Sequence, residues 1–279
     1  MVRLAINWDV SAEIIDGWKT PNLYGLLFVT GLVIGYFIIK RMFNKEGVKD
    51  DYLDKLVLYM VLATVVGARL GHVFFYGPYW GVDGYFSNPL SIFKIWEGGL
   101  ASHGGAIAIL IALLIYSRRV VKKPMIWILD RIAAPIAIAA CFIRLGNLIN
   151  HEIVGIPTNL PWAFSFSRFY NQELGGYDLT PRHPAQLYEA ICYLLAFLIL
   201  IFIYWKKRGY EKPGLVFGLF LVLVFGTRFC VEFIKIGQTA RDSVLFLNTG
   251  QILSIPLVLA GVYILWKALK KKPESSQEM

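Results

Sequence analysis

Charge is scarce in this chain. Only 17% of its 279 residues are Asp, Glu, Lys or Arg, against 57% that are hydrophobic, and the mean hydropathy of +0.56 is too high for an ordinary soluble domain. Cysteine is scarcer still. Cys141, Cys192 and Cys230 are odd in number, form no CxxC pair and fall inside apolar runs, so neither a disulfide framework nor a zinc ribbon is indicated. They read as small apolar residues. The four histidines lack HxxxH or HExxH spacing, and no metal is called for. Internal repeats and low-complexity tracts are missing. A GxSG nucleophile and a pair of intramembrane aspartates are missing too, which ranks an intramembrane protease last.

Long hydrophobic runs are what the chain has in quantity. Seven stretches can cross a hydrocarbon core about 30 Å thick at about 1.5 Å per residue. They are residues 22–40, 54–76, 98–116, 125–148, 184–205, 213–234 and 250–267. The expectation is an all-α polytopic membrane protein with one seven-helix domain over residues 1–272 and a disordered polar tail over 273–279. The first twenty residues carry Asp9, Glu13 and Asp16 and lack a basic start followed by an apolar core. They do not resemble a cleaved signal peptide, and the first span is expected to stay.

The net charge of +9 is explained by its distribution. Basic residues crowd the connections after spans one, three, five and seven: Lys40 to Lys55, Arg118 to Lys123, Lys206 to Lys212 and Lys267 to Lys272. Seventeen lie there, against seven on the other side (Arg3, Lys19, Lys94, Arg168, Arg182, Lys235 and Arg241). The positive-inside rule then gives an outer N-terminus and a cytoplasmic C-terminus. No aromatic-interleaved basic groove is left over, so nucleic acid is not an expected partner.

The two longer outer connections, about 77–97 and 149–183, are rich in Gly, Pro and aromatics and form an extracytoplasmic head of loops and short strands. Residues 162–167 (Trp-Ala-Phe-Ser-Phe-Ser) alternate large and small side chains and predict a short strand or hairpin. Trp80, Tyr85, Phe86, Phe93 and Trp96 suit the headgroup level, as an arm lying on the membrane would.

Topology also sorts the polar residues by depth. Arg144 and Asn147 share one face near the outer end of span four, and Arg228 and Glu232, four apart, sit in the outer half of span six. Tyr24, His103 and His183 lie near the outer ends of spans one, three and five, and Arg69 and His72 in the outer half of span two. An arginine in the middle of a span costs about 2.5 to 3.5 kcal/mol on insertion scales and so implies a partner or a task. Glu232 either neutralises Arg228 or serves a substrate. Arg69 and His72 read as interhelical hydrogen-bonding groups, and Asp130-Arg131, at the other end of span four, as a structural pair. Gly104 and Gly105 next to His103 allow a close backbone approach. Two permanently charged guanidinium forks at headgroup level match a phosphate, and a phospholipid is the natural ligand there. Asn147, Asn150 and Glu152 add donors and acceptors for a hydroxylated headgroup, and Gly146 and Gly155 give the backbone room to turn.

The run from Arg144 to Gly155, Arg-Leu-Gly-Asn-Leu-Ile-Asn-His-Glu-Ile-Val-Gly, closely resembles the signature of bacterial prolipoprotein diacylglyceryl transferases. The resemblance extends to Tyr24-Gly25, to Ser102-His103-Gly104-Gly105, to His183-Pro184-Ala185-Gln186-Leu187-Tyr188-Glu189 and to Arg228 through Phe233, over essentially the whole chain. Ile143, where the family often has glycine, and Leu148, where it often has phenylalanine, are departures that remove no chemical group. The resemblance implies transfer of the diacylglyceryl group of phosphatidylglycerol to the lipobox cysteine thiol of a preprolipoprotein, with release of glycerol 1-phosphate. It implies Arg144 and Arg228 as headgroup clamp and His103 as acceptor of the thiol proton. Tyr24, Asn147, Asn150, Glu152, Gly155 and Glu232 match positions for binding or support. No cofactor is needed. The expected location is the bacterial inner membrane with the site facing the extracytoplasmic leaflet. The rival reading is a transporter of an anion or lipid headgroup; the clustering of polar residues in one leaflet and the absence of matched broken helices count against it.

Overall fold

The computed structural model describes residues 5–18, 20–81, 84–95, 98–171, 174–237 and 246–270. The expected tail at 273–279 and Trp96 lie outside the described residues. Among the described residues, seven helices are long and apolar enough to cross a membrane. These are α1 (Leu23–Lys45), α2 (Asp50–Phe75), α3 (Ser102–Ile115), α4 (Met125–Ile149), α5 (Ala185–Lys206), α6 (Leu215–Val231) and α7 (Thr249–Lys270). A π-helical turn, Tyr116–Val121, continues α3, and a 3-10 turn, Glu232–Ile234, continues α6. Every boundary falls within five residues of its expected place. The start of α3 moves from the expected 98 to Ser102. There Gly98 and Gly99 take positive φ values of 88° and 71°, which ends any helix before Ser102.

The chain forms two compact units, one of Lys40–Ile128 and one of Met1–Ile39 with Leu129–Met279. In the first, α2 packs on α3 at a spacing that tolerates no side chain. A Cβ on Gly71 would lie 2.7 Å from the Gly104 Cα, and one on Gly67 would lie 2.7 Å from the Gly104 carbonyl oxygen. This is a small-xxx-small contact, which lets backbones approach where lipid offers no hydrophobic drive. Gly104 is therefore spent on helix packing rather than on approach to a ligand. In the same unit, Arg69 is buried and organises the segment after α2. It donates to the carbonyls of Ser91 (2.6 Å), Ile92 (2.8 Å), Gly98 (2.6 Å) and Gly99 (3.2 Å), and its guanidinium lies 5.1 Å from the Tyr85 ring centroid. Arg69 thus satisfies loop carbonyls instead of bonding between helices as expected. Tyr85 turns inward to it, whereas Trp80 and Phe93 stay exposed.

In the second unit, α6 packs on α7 where Gly218 faces Gly261, and α5 packs on α6. On α1, Gly31 and Gly35 sit against Ala139 and Pro135 of α4. Asp130 is fully buried and accepts from the backbone N–H of Gly214 (2.7 Å) and Phe217 (2.8 Å). It caps the start of α6, where free N–H groups and the helix dipole favour a carboxylate. Its role is structural through this cap, where the expectation was a structural pair with Arg131.

The alternating segment at 162–167 does form a strand, β2 (Phe164–Phe166). Its partner is not a hairpin neighbour: β2 runs parallel to β1 (Ile6–Trp8), from the start of the chain. The hairpin comes directly after, as β3 (Tyr170–Asn171) and β4 (Gly176–Tyr177). Phe164 and Phe166 point into a small core with Leu148 and Val154, closed by Trp8, Phe169, Leu187 and Ile236. The Trp8 indole donates to the Leu148 carbonyl at 3.0 Å, and a His151 ring nitrogen lies 2.9 Å from the Val10 carbonyl. The N-terminal segment thereby straps the C-terminal end of α4 to the strands.

Candidate active site

The site is built where α4 ends. Residues 150–155 leave the helix in a tight turn, with His151 and Ile153 at φ values of 55° and 58°. For a β-branched residue such as Ile153 that conformation is an outlier that costs about 1–3 kcal/mol, and strain of this kind collects at functional turns. The turn is pinned on both sides. Gly155 donates its N–H to the His183 carbonyl (3.0 Å), Ile156 to that of Ile234 (2.9 Å) and Ile236 to that of Val154 (3.2 Å). Gly155 is squeezed between these two chains. A Cβ there would lie 2.5 Å from the His183 oxygen and 2.8 Å from the Ile234 oxygen. Its physical role in this geometry is close packing.

Arg144 and Asn147, expected on one helical face, are also hydrogen-bonded, with Arg144 Nη1 donating to Asn147 Oδ1 at 3.0 Å. Asn147 then donates to Glu152 Oε1 (2.7 Å), as does Asn150 (3.2 Å), while Gln186 Nε2 donates to the Glu152 backbone carbonyl (2.6 Å). Both asparagines are thereby fixed with their amide nitrogens on one carboxylate. Tyr24 lies against Gly146, where a Cβ would come within 2.6 Å of the ring, so Gly146 admits the tyrosine to this face of α4. Tyr24, Arg144, Asn147, Asn150 and Glu152 are thus brought together by α1, α4 and the turn.

A second layer involves residues that the sequence reading passed over. Arg144 Nε lies 2.9 Å from Glu189 Oε2 of α5. The other oxygen of this fully buried carboxylate accepts from Lys235 Nζ (2.9 Å) and the Tyr193 hydroxyl (3.2 Å). Lys235, also buried, reaches Glu232 Oε2 at 3.0 Å. Glu232 therefore pairs with Lys235, not with Arg228 as its helical spacing suggested. Asn248 donates to its backbone carbonyl (3.1 Å), and Gly250 makes room for its carboxylate. Arg228 is left with a buried Nε that has no hydrogen-bond partner among the described residues. The sequence signal for Glu189 is a carboxylate inside a span; Lys235 looks there like any other loop cation.

His183 ends the strand-like segment beside Gly155. Its ring meets the Tyr188 hydroxyl at 3.3 Å, which in turn accepts from the Trp162 indole at 2.9 Å. Burial pushes the His183 imidazole below the usual histidine range, favouring the neutral ring. In the head, Asp178 pairs with Arg182 and accepts from the Thr180 N–H (2.9 Å) and from Asn171 (3.3 Å). Burial opposes its charge, but these hydrogen bonds outweigh it and hold the carboxyl well below the usual carboxylate range. His103 lies in the other unit, exposed in the first turn of α3.

Helices long and apolar enough to cross a membrane, with Arg144, the Asn147 and Asn150 amides and the carboxylates of Glu152 and Glu189 gathered at one end, define a multi-pass membrane protein with a polar cluster at the ends of its spans. The comparisons make the class specific. Residues 15–267 match the family of prolipoprotein diacylglyceryl transferases, and the chain belongs to that family of enzymes. It is 46% identical over 274 residues to the phosphatidylglycerol–prolipoprotein diacylglyceryl transferase of Porphyromonas gingivalis, covering 95% of each chain. Proteins of the same name from Chloroherpeton thalassium (43% over 267 residues, 95% of each chain) and Tolumonas auensis (42% over 266 residues, 95% of this chain and 98% of the relative) are similar throughout.

Proposed function

We propose that this chain transfers the diacylglyceryl group of phosphatidylglycerol to the lipobox cysteine of preprolipoproteins, in the outer leaflet of a bacterial inner membrane. The observation that carries the site reading is Arg228: a permanently charged, half-buried guanidinium whose buried Nε has no hydrogen-bond partner among the described residues, while Lys235, buried in the same unit, is committed to carboxylates. Such a group fits the phosphate of a lipid headgroup. Arg144, oriented by Glu189 and Asn147, is the second arm of the clamp.

In the reaction, the cysteine sulfur attacks the glyceryl carbon next to the phosphate oxygen. The carbon–sulfur bond forms as the carbon–oxygen bond breaks, and the electron pair leaves with glycerol 1-phosphate. Negative charge on the departing phosphate is where fixed guanidinium groups stabilise most. A thiol of pKa about 8.5 costs about 2 kcal/mol to deprotonate at pH 7, and a histidine can take the proton as general base. His103 is assigned that task. Tyr24, Asn147, Asn150 and Glu152 frame the headgroup; Gly155 and Glu232 support the frame, the first by packing and the second through Lys235. The reaction as written needs neither metal nor redox cofactor. The excess of basic residues on the connections after spans one, three, five and seven supports an outer N-terminus and a site on the extracytoplasmic side. Purified protein incubated with phosphatidylglycerol and a lipobox peptide should add one diacylglyceryl mass to the peptide, and a Cys→Ser peptide should gain none. A peptide left unmodified by well-folded protein would refute the proposal.

A further inference from the structure

We infer that Lys235 is a positioning residue for the phosphate clamp: by neutralising Glu189 and Glu232 it keeps the Arg144 guanidinium available to an anionic phospholipid. The inference rests on the proposed function and deepens it. Glu189 is fully buried on α5 and has two cationic neighbours, Arg144 on one oxygen and Lys235 on the other, each at 2.9 Å. Lys235 is shared with Glu232 at 3.0 Å, and Gly250 lets that carboxylate in, since a Cβ there would lie 2.4 Å from Glu232 Oε1. Arg144, Glu189, Lys235 and Glu232 thus form a line of alternating charge that sums to zero.

Buried charge is tolerated only when it is paired. Without the ammonium, two carboxylates face one guanidinium and the line carries a net charge of −1. Arg144 is then the one remaining cation paired with Glu189 among the described residues. Its charge would be consumed by protein carboxylates, and the local potential would repel a phosphodiester. Lys235 need not touch the lipid for this effect. Its charge acts through Glu189 on Arg144, so the deficit should appear in lipid binding and be reversed by removing one negative charge elsewhere in the line.

The experiment compares wild type with Lys235→Met, Lys235→Arg and the double variant Lys235→Met/Glu232→Gln. For each, kcat and KM for phosphatidylglycerol are measured in mixed micelles, together with the phosphatidylglycerol retained by purified protein. Lys235→Met should raise KM at least tenfold with kcat within threefold of wild type, and should retain little lipid. Lys235→Arg and the double variant should bring KM back to within threefold of wild type. A normal KM in Lys235→Met would overturn the inference. So would a double variant that folds with the parent's thermal midpoint yet keeps the raised KM; that result decides the matter even if Lys235→Met alone does not fold. Wild-type protein that retains phosphatidylglycerol but transfers nothing would refute the proposed reaction, leaving retention by the variants to judge the role of Lys235.

Discussion

Replacing Gly155 with alanine separates a packing role from a substrate-binding role at the end of the signature run. The new methyl would meet the His183 carbonyl oxygen at 2.5 Å, the His183 Cβ at 2.6 Å and the Ile234 oxygen at 2.8 Å, all well inside contact distance. The two carbonyls belong to backbone on opposite sides, so relieving one clash tightens the other. Overpacking alone costs about 1–3 kcal/mol. Prising the chains apart also weakens the Gly155-to-His183 and Ile156-to-Ile234 hydrogen bonds, each with a net worth of about 0.5–1.5 kcal/mol. The expected total is about 2–6 kcal/mol. Thermal unfolding in detergent should show a clear fall in midpoint for Gly155→Ala. Gly226→Ala, on α6 with nothing within 4 Å of the added carbon, serves as the control and should shift little. If Gly155→Ala unfolded at the wild-type temperature while losing activity, the packing argument would fail and direct contact with substrate would replace it.

Two further outcomes follow from the buried polar groups. Arg69→Leu removes four carbonyl hydrogen bonds and should leave the segment 84–99 open to limited proteolysis at a protease concentration that wild type resists; equal resistance would show that the arginine does not hold it. Because the Asp178 carboxyl is held below its usual value of 3.8, its contribution to stability is fully present above about pH 4 and is lost as the pH falls towards the folded value. Hydrogen exchange of the head, residues 163–182, should therefore accelerate below pH 4 in wild type. Asp178→Asn should be less protected at pH 7 and should show a smaller acid step, whereas parallel curves for the two would refute the assignment.

The spans were legible because apolar length is a local property, and charge asymmetry could be read along the chain. The shared face of Arg144 and Asn147 was legible for the same reason, being one helical turn. What escaped were contacts between distant segments. Alternation at 162–167 marked a strand, but its partner at 6–8 lies more than 150 residues away and pairs in parallel. Helical spacing made Arg228 one of two candidate partners for Glu232, the other being a substrate, yet α6 gives way to a 3-10 turn at Glu232, and its carboxylate turns to Lys235. Glu189 meets Lys235 across 46 residues, which no periodicity reveals. Gly104 was read beside His103, whereas the Gly67-xxx-Gly71 spacing on α2 was the signal that it belonged to a helix contact.

The central claim is that carbon–oxygen cleavage at a clamped phosphate drives thioether formation. Its most direct test is to measure both products of one reaction, using phosphatidylglycerol and a lipobox peptide with wild type and with Arg228→Ala. The account predicts equimolar diacylglyceryl-peptide and glycerol 1-phosphate from wild type, and neither from a folded Arg228→Ala. Peptide modification without glycerol 1-phosphate, or undiminished yield from Arg228→Ala, would contradict it.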